Sequence, residues 1–240
     1  MTAIVLDRLT LGYDGAPAVV DANGAFAMGR STAIVGPNGS GKSTLLKALA
    51  GRLKPLDGAV RLQGLSRRDI AYLPQEAGMD RDFPITLADH VALGFERRLG
   101  LFQGLGATEQ ARLAQALEWA GLKGLERRPI RDLSGGQFQR ALFARVVVED
   151  APVILLDEPF AALDDEATAD LVRVIDRWRA ERRTLVIVLH DLGLARALSD
   201  ETLIMGRGDL AWGPTAEVLT PDRLRPAQGS VSPGLTGDAA

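Results

Sequence analysis

The spacing of apolar positions changes along the chain, and each change predicts a different element. Over residues 3–35 short apolar runs alternate with turn residues, as in AIVLDRLTLGYDG, AFAMG and STAIVG. This is the pattern of short strands joined by hairpin-like turns. TAIV (32–35) runs into a glycine-rich loop, and STLLKALAG (43–51) follows with helical spacing and a glycine stop at Gly51. Residues 56–73 return to short strands, and from about 84 to 150 the texture is helical. The clearest helix there is 109–120, with Leu113, Ala114, Leu117 and Ala120 on one face, Thr108 placed to cap it and Gly121 to end it. The glycine-rich stretch ERRLGLFQGLGA (96–107) predicts a loop between helices.

After residue 150 the pattern changes again. PVILLDEP and TLVIVLHD are continuous apolar runs, separated by an amphipathic helix at 165–182. Asp165 and Glu166 lie in the first turn of that helix, and Arg179 and Arg182 near its end, which suits the helix dipole. Apolar runs alternating with helices predict a parallel sheet covered on both faces. The expected fold class is α/β, with a strand-rich N-terminal part and a helical insertion at about 84–150 interrupting the core. Residues 221–240 lack aromatics and hold several Pro and Gly, so a loose tail is expected.

Composition removes several chemistries. The chain of 240 residues has no cysteine, which excludes disulfides, zinc–cysteine clusters and thiol catalysis. With only His90 and His190, a resident transition-metal site would have to rest on carboxylates, a poor match. The net charge of −3 argues against binding nucleic acid through a broad basic face. No apolar run nears the ~18 residues that span a bilayer, and the N-terminus lacks the pattern of a signal peptide. A soluble, cytoplasmic chain is expected, one that reaches a membrane only through a partner.

Gly36-Pro37-Asn38-Gly39-Ser40-Gly41-Lys42-Ser43-Thr44 fits G-x-x-x-x-G-K-[ST] between a strand and a helix. Its glycines let backbone N–H groups turn inward around phosphate oxygens, Lys42 can reach the β- and γ-phosphates, and Ser43 can ligate Mg²⁺. VILLDEP sets Asp157 and Glu158 at the end of a buried strand, the first suited to hold Mg²⁺ and the second to polarise an attacking water. His190 ends another such strand, where ligands bind in parallel sheets; His90 has no such context and reads as structural. A second glycine-rich stretch, LSGGQFQR (133–140), lacks the preceding strand of a P-loop. Ser134 and Gln137 instead fit a capping box. It is a helix start that can offer N–H groups to an anion, with no lysine of its own.

GPNGSGKST, LSGGQ, VILLDEP, ALD at 162–164 and His190, in this order and spacing, resemble the ATP-binding cassette ATPases over about residues 2–220. The resemblance implies one domain over 1–220, with a P-loop (RecA-like) core, an N-terminal antiparallel β subdomain and the inserted helical subdomain. It also implies a head-to-tail homodimer in which the P-loop of one cassette and the LSGGQ of the other sandwich each ATP. On that basis Tyr13 stacks on adenine, residues 36–44 hold the phosphates, and Gln75 touches Mg²⁺. Ser134, Gly135, Gly136 and Gln137 bind the partner's γ-phosphate, and Asp164 lies in the loop joining the two sites. Asp157 is the Mg²⁺ carboxylate, Glu158 the catalytic one and His190 the switch residue. Ala161 stands where many relatives have serine, without consequence for catalysis.

One unfused cassette, DFPITLADHVALG after Gln75, RALFAR, DEPFAALD and LVIVLHDL resemble the zinc and manganese importer branch. That likeness implies an ATPase subunit on the cytoplasmic face of the membrane, working with a permease that docks on the region of Phe83 to Gly94. An extracytoplasmic metal-binding protein would deliver the ion, with zinc ahead of manganese. Other cargoes (iron-siderophore, haem), an exporter, a non-transport cassette and a P-loop module without turnover are the alternatives.

Overall fold

The computed structural model describes residues 1–75, 81–99, 104–161, 163–206 and 210–220. The expected tail at 221–240 and Ala162 of the ALD stretch lie outside them.

Strands β1 (Thr2–Tyr13) and β2 (Ala16–Ala27) form an antiparallel hairpin. Asp14 (φ 49°) and Gly15 (φ 79°) turn it, the Asp-Gly pair that a tight hairpin turn with two positive φ values favours. Then follow β3 (Ser31–Val35), α1 (Lys42–Leu49), β4 (Asp57–Leu62) and β5 (Ile70–Leu73). The helical stretch holds α2 (Leu87–Ala92), α3 (Glu96–Leu99), α4 (Ala107–Trp119) and α5 (Gly135–Glu149). The chain returns through β6 (Val153–Asp157), α6 (Asp165–Ala180), β7 (Thr184–Val188), α7 (Leu192–Leu198), β8 (Glu201–Met205), β9 (Leu210–Pro214) and α8 (Thr215–Val218).

Two sheets result. The antiparallel one has the order β2-β1-β4, and the larger one the order β5-β6-β7-β3-β8-β9, parallel except for β9. The two short strands expected at 56–73 thus part company: β4 pairs with β1 and β5 with β6. Every residue of β3, β6 and β7 is buried. One face of the large sheet packs Phe143, Leu171, Val174 and Trp178 from α5 and α6, and the other packs Leu45, Leu46 and Leu49 of α1.

Helix α5 joins the helical stretch to the core because it is apolar on two sides. Leu142, Phe143 and Val146 enter the sheet's core, while Ala141, Ala144 and Val148 pack with Leu87, Val91 and Leu117. Asp150, at the end of α5, accepts from Arg112 of α4 and from Arg183 ahead of β7, each at 2.6 Å. That pair of contacts ties α4 to the sheet.

Three local expectations differ from what is found. Thr108 does not cap α4: Gly106, in extended conformation, is the N-cap, and Thr108 lies inside the first turn. The expected loop at 96–107 begins with a turn of helix, α3. The helix expected to reach 182 stops at Ala180. Arg182 takes a left-handed φ of 58°, and the amides of Arg182 and Arg183 donate to the carbonyls of Arg179 and Trp178. This is a Schellman end made without glycine, so no composition signal marks it. Among the described residues no helix is long and apolar enough to cross a membrane.

His90 is fully buried on α2 beside Phe138, and among the described residues neither ring nitrogen has a hydrogen-bond partner. Burial, with help from the nearby Arg145 cation, pulls its pKa down to about 4. The folded chain therefore keeps His90 neutral while the unfolded chain protonates it below about 6.5. Stability contributed at neutral pH is lost as pH falls from about 6.5 towards 4, amounting to about 2 kcal/mol by pH 5. Urea unfolding at pH 7 and pH 5 checks this: a His90→Phe variant should lose less stability between the two than the parent does.

Candidate active site

The loop from β3 to α1 is shaped by contacts that only glycine permits. A Cβ at Gly36 would lie 2.1 Å from the Met205 carbonyl oxygen, and one at Gly41 (φ 91°) 2.6 Å from Val19 Cγ2. Both approaches press the loop against β2 and β8, which leaves its other side open. Lys42 begins α1 and is 5% exposed. Its ammonium donates to the carbonyls of Gly36 and Pro37, each at 2.9 Å. Burial lowers the Lys42 pKa, while the carboxylates of Glu158 and Asp157 push it back up.

Asp157 ends β6 at the carboxyl edge of the parallel sheet. Ser43 donates its hydroxyl to Asp157 Oδ1 at 3.0 Å, whereas Oδ2 is buried with no hydrogen-bond partner within 3.5 Å among the described residues. Burial pushes the Asp157 carboxyl above the ordinary aspartate value, and the neighbouring Glu158 adds to this, against the Ser43 hydrogen bond. An orphaned carboxylate oxygen beside a hydroxyl is a donor set that suits a small hard cation.

Glu158 follows in a left-handed conformation, φ 51°. Gln75 Nε2 donates to its Oε2 at 2.9 Å, and His190 Nε2 meets its Oε1 at 2.6 Å. Both carboxylate oxygens are thus held by side chains from the ends of β5 and β7. Gln75, Glu158 and His190 line one cavity of about 490 Å³ together with Asn38, Gly39 and Gly41 to Thr44. Ala18 of β2 lines it too, a residue that sequence reasoning missed because an alanine in a strand carries no chemical signal.

Other expected site residues lie elsewhere. Tyr13 is exposed at the end of β1, with its hydroxyl 3.4 Å from Lys47 Nζ, and does not line the cavity. Ser134 to Gln137 do not line it either. They form the start of α5: Gln137 N–H donates to Ser134 Oγ at 3.2 Å, and Ser134 N–H to Gln137 Oε1 at 3.0 Å, the reciprocal capping box. Asp164 caps α6, its Oδ1 accepting from Ala167 N–H at 2.8 Å.

Known proteins resemble this chain over most of its length. The family profile described as ABC transporter matches residues 19–161. The manganese transport system ATP-binding protein MntB of Listeria monocytogenes is 37% identical, over 93% of this chain and 95% of that protein. The zinc transport system ATP-binding protein TroB of Treponema pallidum is also 37% identical, over 95% of this chain and 87% of that protein. The solved structure of an ATP-binding subunit of an ABC transporter superposes with a TM-score of 0.81 at 25% identity, over 95% of this chain and 96% of the other. With a phosphate loop, a held carboxylate and these relatives, the chain belongs to the ABC transporter family as an ATPase cassette, in the branch of the manganese and zinc transport subunits.

Proposed function

We propose that this chain hydrolyses ATP, in complex with Mg²⁺, to drive a membrane permease for a divalent metal ion, manganese or zinc. The observation that carries the catalytic part is the Glu158 carboxylate, held by Gln75 and His190 over the phosphate loop. The metal rests on likeness to the Listeria and Treponema subunits, named for manganese and zinc at the same identity of 37%. The lean towards zinc taken from the sequence therefore has no support of its own, and manganese stands level with it.

The phosphates of ATP enter the cavity against the loop amides and Lys42. Ser43, Asp157 and Gln75 are the groups that would hold Mg²⁺, and the unpartnered Asp157 Oδ2 beside the Ser43 hydroxyl fits that role. When bound, Mg²⁺ supplies neutralisation of charge on the β- and γ-phosphate oxygens. Glu158 polarises the attacking water or takes its proton. Gln75 and His190 keep the carboxylate from rotating away, and His190, half exposed at the strand end, is the contact to the γ-phosphate. Tyr13 stacks on the adenine.

The phosphate loop alone leaves one side of the nucleotide open. Ser134, Gly135, Gly136 and Gln137 of a second copy close it, with Asp164 in the connecting loop. ATP closes this homodimer and hydrolysis reopens it, which cycles the permease. The permease docks on the segment from Phe83 to Gly94, where Phe83 leaves 58% of its surface exposed. The complex lies on the cytoplasmic face of the membrane, and an extracytoplasmic binding protein supplies the ion.

A strain lacking the gene, grown in chelator-depleted medium with single metals restored and cell metal read by mass spectrometry, tests the reading. Rescue by manganese alone or by zinc alone, with that metal low in the cell beforehand, is the expected result and names the cargo. Growth indifferent to both metals, in a strain without a redundant importer, refutes the metal assignment and leaves the ATPase standing.

A further inference from the structure

We infer that Arg81 is a positioning residue for the Ser134–Gln137 loop, holding it in the shape that meets a partner's nucleotide. The inference rests on the proposed role of that loop. Arg81 follows Gln75 by six positions. Its guanidinium donates to the carbonyl oxygen of Leu133, the residue immediately before Ser134. The same guanidinium lies 4.8 Å from the centroid of the Phe138 ring, one turn into α5.

These contacts act on one peptide unit. The carbonyl of Leu133 is fixed by Arg81, and the N–H of Ser134 by Gln137 Oε1 at 3.0 Å. Because the peptide group is planar, holding both its oxygen and its N–H sets the direction in which the chain enters Ser134. Without Arg81, the capping box still closes the helix start, but among the described residues the peptide ahead of it is held from one side only. Phe138 supplies the second anchor, since an arginine over an aromatic face gains a cation–π contact as well as its hydrogen bond. Arg81 thus also ties the start of the helical stretch to the loop that faces the other nucleotide. Sequence reasoning had no signal for Arg81, which matches no motif in the chain.

The test compares Arg81→Ala, Arg81→Lys and a control, Gly135→Asp, each in a Glu158→Gln background. Gly135 has open space around its Cβ position, so the control introduces charge without a clash. Sedimentation measures dimer formation against ATP concentration, and a fluorescent ATP analogue reports binding by the single cassette. Arg81→Ala should leave analogue binding unchanged and raise the ATP needed for dimers on the order of ten-fold, the cost of one charge-assisted hydrogen bond. Arg81→Lys can donate to Leu133 but cannot stack in the same way, so it should fall between Ala and the parent. If Arg81→Ala does not fold, Arg81→Lys decides alone. Dimers forming at the parent's ATP concentration in the alanine variant, or in the lysine variant where only that folds, overturn the inference. If Gly135→Asp dimerises like the parent, the role given to residues 134–137 is wrong and the inference falls with it.

Discussion

Glu158→Gln is expected to lower ATP turnover by about 10²–10⁴-fold while leaving ATP binding intact, the span typical of losing a general base. Glutamine preserves the length of the side chain and an oxygen able to accept from Gln75 or His190, whose bonds to Glu158 are 2.9 and 2.6 Å. What it lacks is the negative charge that draws a proton from water. Such an interaction develops only in the transition state, so kcat should collapse and KM should change little. The left-handed φ of 51° at this position costs glutamine as much as glutamate, so the melting temperature should hold. The variant should also accumulate ATP-loaded dimers, visible by gel filtration. Turnover at the parent's rate would remove Glu158 from the chemistry and leave its hydrogen bonds as a structural clasp.

How legible this site is depends on how far apart in sequence its parts lie. The phosphate loop is local: its glycines, Lys42 and Ser43 fall within one strand–turn–helix unit, so spacing alone shows what they can do. The capping box at Ser134 is equally local, because Ser134 and Gln137 lie one turn apart. The clasp on Glu158 is not, since Gln75 and His190 are separated from it by 83 and 32 residues. Spacing cannot reveal those bonds; they arise because β5, β6 and β7 are neighbours in one sheet. Helix ends show the same divide. Gly51 and Gly121 mark stops by their residue type, whereas Arg182 ends α6 in a conformation that its side chain does not advertise. Apolar runs identified β6 and β7 as buried strands, but the pairing of β4 with one sheet and β5 with the other is decided by long-range contacts.

Lys42→Ala should fail earlier in the cycle than Glu158→Gln, at nucleotide binding. Among the described residues lining the cavity, Lys42 carries the one permanent positive charge; they also include Glu158, and Asp157 accepts from the lining residue Ser43. Without it, the phosphates of ATP would face a site of net negative character. An ammonium has three donors, and two are engaged with Gly36 and Pro37 at 2.9 Å. Some of these bonds must be given up to, or shared with, the phosphates, so alanine removes both the ligand contacts and a support of the loop. Two charge-assisted hydrogen bonds at about 1.5 kcal/mol each amount to roughly a 100-fold loss of affinity. The readout is thermal: a ligand that binds only the folded state stabilises it by RT ln(1 + [L]/Kd), so a weaker Kd gives a smaller rise in melting temperature at the same concentration. ATP should raise it for the parent and for Glu158→Gln, and fail to do so for Lys42→Ala at the same concentration. An undiminished shift in the alanine variant would mean that nucleotide is held elsewhere than in this loop. The two variants together separate holding ATP from cutting it, one fault on each side of the same cavity.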